Sequence, residues 1–207
     1  MTTARTAPTG PRRRTLQQLS DAMASLVDEG ESPTKLSVER ILERASIARS
    51  TFYAHYDGKA ALLREVGHSV VTEVLEASRR WSRLPDDAGR PELRDAVAHL
   101  VTVYRTHASL MGAMTEVAGY DDAVRLELHR LITVGQAELT RHVQRGQKAG
   151  SVRADVDPVT TIRWLMWMVE RSLYAMVRTC PKNEVARHVD AATGIIWNAL
   201  YDGTPRG

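Results

Sequence analysis

Apolar residues return at three- and four-residue intervals along almost the whole 207-residue chain, with no strand-period alternation of any length. Such a pattern admits only helices, each turning one face to a core. Leu16, Leu19, Ala22, Met23 and Leu26 set a first helix over about 15–29, closed by Gly30. After a loop holding Ser32 and Pro33, Val38, Ile41, Leu42 and Ala45 mark a short second helix. Ser37 stands at its N-cap position, with Arg40 at N3. A third helix follows a tight turn. Asp57 is the expected N-cap of a fourth, carried by Leu62, Val66, Val70 and Val74 to about Trp81. The breaker-rich stretch 84–91 then gives way to predicted helices over 92–106, 109–117, 121–148, 158–179 and 181–202. The expected fold is all-α, with nine helices.

A chain of this length buries a full core, as one domain or as a small domain fused to a larger one. Hydrophobic residues make up 43% and charged residues 26%, an ordinary globular balance. No apolar run approaches the roughly 18 residues of a membrane span. The N-terminal M-T-T-A-R-T-A-P-T-G-P-R-R-R lacks the apolar segment of a secretory signal. One cysteine, Cys180, excludes an internal disulfide and suits a reducing cytoplasm. We expect a cytoplasmic protein without membrane contact. Net charge is only +3, but Arg5, Arg12, Arg13 and Arg14 all precede the first acidic residue, Asp21. Residues 1–12 are expected to form a disordered basic tail, with Arg12, Arg13 and Arg14 against phosphates.

Enzymatic chemistry finds no footing. The seven histidines are scattered, and no His-x-x-x-His, cysteine pair, G-x-S-x-G or phosphate-binding glycine loop is present. Glu138 and His142 share a helix face, as do Glu184 and His188, and both read as solvated helix pairs rather than metal ligands. No catalytic residue, cofactor or metal is expected.

The stretch 46–63, S-I-A-R-S-T-F-Y-A-H-Y-D-G-K-A-A-L-L, carries the functional signal. Two short helices joined by a tight turn form a helix-turn-helix, whose second helix enters the major groove of DNA. At about 100° per residue, Phe52 and Tyr56 fall on the core side of that helix. Arg49, Ser50 and Tyr53 share a face expected to meet base edges, while Thr51 and His55 are expected to lie against phosphates. Arginine at this place suits bidentate recognition of guanine. Ser37, at the start of the preceding helix, joins the DNA-facing set.

T-F-Y-A-H-Y-D-G-K-A-A-L-L resembles the TetR family signature T-x-Y-x-H-F-x-x-K-x-x-L. The resemblance implies three DNA-binding helices and six regulatory ones. The helix-turn-helix domain would span 13–58, and the ligand-binding and dimerisation domain 59–207. It also implies that Lys59 contacts phosphate. Two departures stand out. The usual Gly-(Val/Ile)-Ser turn is Ser46-Ile47-Ala48 here, placing serine where a left-handed backbone is often required. Ala48 in turn removes the N-cap hydroxyl.

Family resemblance further implies a homodimer on a double-stranded, pseudo-palindromic operator, most simply as a repressor released by a small lipophilic ligand. Helix 8, with Ile162, Leu165, Met166, Val169, Leu173, Met176 and Val177 on one face and Trp164, Met168 and Ala175 extending it, is too broadly apolar for one neighbour. Helix 9 adds small residues (Ala191, Ala192, Gly194, Ala199), so a dimer seam through helices 8 and 9 is expected. Tyr104, Met111, Met114, Trp167 and Tyr174 are candidates to line a ligand cavity, with Glu116 or Glu170 as polar anchors. The run E-R-S-L-Y-A from Glu170 resembles the subgroup that includes the ethionamide-resistance repressor. Val169 stands where that subgroup has asparagine, so no amide contact carries over. The alternative reading is a helical adaptor that binds a protein partner without DNA or ligand.

Overall fold

The computed structural model describes residues 10–32 and 35–201. Nine α-helices are formed among the described residues, and no strand. They are α1 Gly10–Asp28, α2 Val38–Ala45, α3 Arg49–Tyr53, α4 Lys59–Ser82, α5 Arg90–Thr106, α6 Ala108–Val117, α7 Asp122–Ala149, α8 Pro158–Ser172 and α9 Val185–Leu200. A π-helical turn, Leu173–Val177, continues α8, and a 3-10 turn, Lys182–Glu184, leads into α9. Expectations for tail residues 1–9 (Arg5 among them), Pro33 and Asp202 fall outside the described residues.

Side-chain caps open α2, α7 and α8. Ser37 Oγ accepts from the Arg40 N–H at 3.1 Å, and Asp121 accepts from those of Ala123 and Val124 at 2.9 and 3.0 Å. Asp157 accepts from the Thr160 N–H at 2.7 Å, ahead of Pro158 in a first turn where its missing donor costs nothing. The start of α4 differs from expectation. Its cap is Gly58, without a side-chain bond, not Asp57. At φ 126° and ψ −174°, Gly58 turns the chain between α3 and α4 in a backbone conformation that a side chain would strain.

Helix α1 begins at Gly10 rather than near 15, so residues 10–12 belong to it and not to a tail. The helix expected over 158–179 changes character at Leu173, where the Arg178 N–H reaches back to the Leu173 carbonyl at 2.9 Å. An arginine from α5 serves the carbonyls at the end of this wide turn. Arg105 Nη1 donates to Val177 O at 2.6 Å and Cys180 O at 3.0 Å. Cys180 sits at the helix end, half-buried.

Helices α1 to α3 close around Leu19, Met23, Leu26, Ile41 and Phe52, all fully buried. In the body, α4 packs against α5 and α7, α5 against α9, and α7 against α8. Arg79 of α4 clamps Glu138 of α7 with Nε and Nη2, at 2.9–3.1 Å. The short α6 lies between head and body, touching α1, α4 and α7. The expected division at 58/59 falls at the Gly58 turn, yet one apolar core continues through it.

Candidate nucleic-acid interface

Helix α3 is short, so its attitude depends on what anchors it. Phe52 is 0% exposed and Tyr56 2%, with ring centroids 5.3 Å apart, and they pin the inner side to the head core. Arg49, Ser50, Thr51, Tyr53 and His55 all face outward, Tyr53 with half its surface in solvent. The turn before α3 is strained at one residue: Ser46 has φ 54° and ψ 43°, left-handed backbone that favours glycine. Ala48 begins α3 with extended backbone and no side-chain cap, so the helix opens with its first amides unserved by a hydroxyl.

Arg49 is not idle. Its Nη2 donates to Oε1 of Glu39 on α2 at 2.7 Å, with both side chains well exposed. Sequence reasoning passed over Glu39. Its signal was an acidic residue in the first turn of α2, across the tight turn from an exposed arginine. Ser37 is exposed, with its hydroxyl capping α2. Lys59 opens α4 half-buried, and burial lowers its pKa from the ordinary lysine value.

The three arginines of α1 separate. Arg13 and Arg14 are exposed in its first turn, with no ion pair among the described residues. Arg12 turns inward, contrary to its expected place on a phosphate-seeking arm. Its Nη2 donates at 2.8 Å to Oε2 of Glu65, a buried carboxylate on α4. The hydrogen bond and charge of Glu65 raise the Arg12 pKa further, with Tyr56 contributing. One guanidinium thus ties α1, α4 and the end of α3 together.

Of the seven expected ligand contacts, Tyr104 lies close enough to Glu170 and Tyr174 to interact with them electrostatically. Tyr104, Met111 and Met114 are buried, Glu116 is exposed, and Trp167 is 49% exposed. Glu170 is half-buried, with its pKa raised by desolvation. The guanidinium carbons of Arg171 and Arg178 lie over the Tyr174 ring, 5.4 and 5.1 Å from its centre. A cavity of about 130 Å³ opens instead between α5, the π turn and α9, and none of the seven lines it. Met114 lines a smaller space of about 100 Å³ with Gly67, His68 and Glu127. Tyr104, Met111 and Met114 fill the core, whereas Trp167 and Glu116 turn to solvent. The Glu138 and His142 pair, read as solvated, differs in detail. Glu138 is held by Arg79, and His142 is buried against Tyr201 and Arg145. No group of three potential metal ligands occurs among the described residues, nor does any helix long and apolar enough to cross a membrane.

Residues 22–66 match the family model described as bacterial regulatory proteins, tetR family. Among curated proteins, the chain is 27% identical over 127 residues to the HTH-type transcriptional repressor DhaR of Mycobacterium sp. (strain GP1). That match spans 59% of this chain and 62% of the relative, slightly less than two thirds of its length. Solved structures extend the likeness to the whole fold. Salmonella enterica GusR superposes with a TM-score of 0.70 at 18% identity, covering 93% of this chain and 97% of that one. The TetR family regulator PfmR from Thermus thermophilus gives 0.68 at 17%, covering 97% and 100%. The helix-turn-helix is thus matched in sequence by the tetR family model over residues 22–66, and the nine-helix fold resembles solved TetR-family structures along nearly the whole chain.

Proposed function

We propose that two copies of this chain bind a pseudo-palindromic DNA operator in the cytoplasm and repress transcription until a small lipophilic ligand releases them. One observation carries the DNA reading. A five-residue helix pinned by Phe52 and Tyr56 turns Arg49, Ser50, Thr51, Tyr53 and His55 outward together. These side chains are exposed, and their chemistry suits base edges and phosphates. Arg13, Arg14 and Lys59 add positive charge beside them. Glu39 holds Arg49 across the α2–α3 turn, so base contact requires Arg49 to exchange or share that partner. The curated relative's designation as a repressor favours repression over activation.

One short head binds weakly, and pairing two heads at about 34–36 Å matches one turn of DNA. The seam is proposed on α8 and α9. Trp164 is 76% exposed, and Val159, Trp167, Met176 and Ile195 each leave about half their surface in solvent. Apolar exposure of this extent marks an interaction surface. Release draws support from α6. The Arg178 guanidinium, just beyond the π turn, lies over Gly112 of α6, within 2.9 Å of where a Cβ would stand. Ser109 of α6 donates to Asp28 of α1, and Met114 packs on Gly67 of α4. A shift in the body thereby reaches both head-bearing helices. Weakening operator binding 100-fold needs only about 2.7 kcal/mol of coupling.

Fluorescence anisotropy with duplexes from the gene's own upstream region tests this reading, alongside sedimentation to count copies. Nanomolar, salt-sensitive binding by a dimer is expected, abolished by Tyr53→Ala with Lys59→Ala while the circular dichroism melt is retained. Equal affinity in the double variant would overturn the reading in favour of a helical partner-binding protein.

A further inference from the structure

We propose that the cavity between α5, the π turn and α9 binds a small uncharged molecule, largely apolar and carrying one hydrogen-bonding group. The inference rests on the regulator reading only for its biological use, since occupancy can be measured without DNA. Charge sets the ligand class. None of the fifteen lining residues is Asp, Glu, Lys or Arg, so a charged ligand would lose its hydration without gaining a partner. Two lining groups are polar, Ser172 and His188, and neither has a hydrogen-bond partner among the described residues. They can donate to or accept from one polar atom on an otherwise apolar guest.

Size narrows the class further. The space of about 130 Å³ is close to the roughly 150 Å³ apolar cavity that holds benzene in an engineered protein. It is smaller than the roughly 300–1,000 Å³ pockets of drug-sized ligands. A single ring or a fused pair of rings fits, and a long acyl chain does not. The wall is also unusual. Leu173, Met176 and Val177 come from the π turn, and such turns are frequent at functional sites. The other wall is α9, through Ala192 and Ile195. Because Met176 and Ile195 also lie on the proposed dimer seam, a side chain of a second copy is the rival occupant.

The test uses the full chain with labelled methionine methyl groups. Met168 and Met176 report on the cavity, and the buried Met111 and Met114 serve as internal controls. Indole should shift Met168 and Met176 saturably and bind at least five-fold tighter than benzene, while benzoate should not compete. Ala192→Phe, which fills the space from α9, should weaken indole at least ten-fold. Should that variant not fold, Ser172→Ala should erase the preference for indole over benzene and leave benzene unchanged. Absence of shifts at Met168 and Met176, or competition by benzoate, would overturn the proposal. Indole binding seen only on dilution to monomers would assign the cavity to a partner side chain and overturn it equally. If Met168 and Met176 respond but indole leaves operator affinity unaltered, the release step of the regulator reading fails and the site stands.

Discussion

Arginines decide most of the chemistry at the scale of single residues, and their partners separate them. Arg49 is held at 2.7 Å by Glu39, a carboxylate that docking would bring close to the DNA backbone. Replacing it by Glu39→Gln removes a like charge and frees the guanidinium. Operator affinity should rise about three- to ten-fold at low salt, with the gain shrinking as salt screens it. An anisotropy titration across salt concentrations measures this, and a fall in affinity would show that Glu39 steers Arg49 rather than competing for it. Arg12 and Arg13, neighbours in sequence, should behave oppositely. Arg12 bonds the buried Glu65, so Arg12→Ala should cost about 1–2 kcal/mol of stability by urea unfolding. Arg13 faces solvent, so Arg13→Ala should leave unfolding unchanged and lower the salt slope of DNA binding by about 0.9.

Between elements, the α2–α3 turn is the place where local sequence and required geometry disagree. Ser46 holds φ 54°, and Ala48 caps α3 without a hydroxyl. Both deficits lower the stability of a five-residue helix that has little of its own. Ala48→Ser should supply the missing acceptor and add about 0.5–1 kcal/mol. Ser46→Gly should relieve the left-handed backbone by a similar amount. Hydrogen exchange of the α3 amides would register both changes as slower opening. Unchanged exchange would mean that Phe52 and Tyr56 alone set the stability of this helix. The π turn makes the complementary point about the body. Its irregular carbonyls are tolerated because Arg105, from another helix, reaches Val177 and Cys180.

For the molecule as a whole, one cluster ties the end of α9 to α4 and α7. Trp81 Nε1 donates to the Tyr201 hydroxyl at 3.0 Å, and His142 Nε2 meets the same oxygen at 2.9 Å. Arg145 lies 3.0 Å from His142 Nδ1 and can only donate, so Nδ1 accepts and Nε2 carries the proton. Burial first, and the Arg145 charge second, push His142 down to about 4. A depressed histidine pKa makes the folded state bind fewer protons than the unfolded one. Its contribution is therefore complete above about 6.5 and lost as pH falls from there through about 4. Urea unfolding at pH 7 and pH 4.5 should differ by about 2–3 kcal/mol from this group, and His142→Gln should remove that part of the dependence. Taken alone, the amino-acid order determined the helices, the capping Ser37, and the inward Phe52 and Tyr56, because three- to four-residue periodicity and local hydrogen bonds act within one turn of chain. Left to tertiary structure were the Glu39 clasp on Arg49, the inward turn of Arg12, the Gly58 reversal and the position of the cavity. Each of these depends on which surfaces of separate helices meet, and a pattern local to one helix does not encode its neighbour.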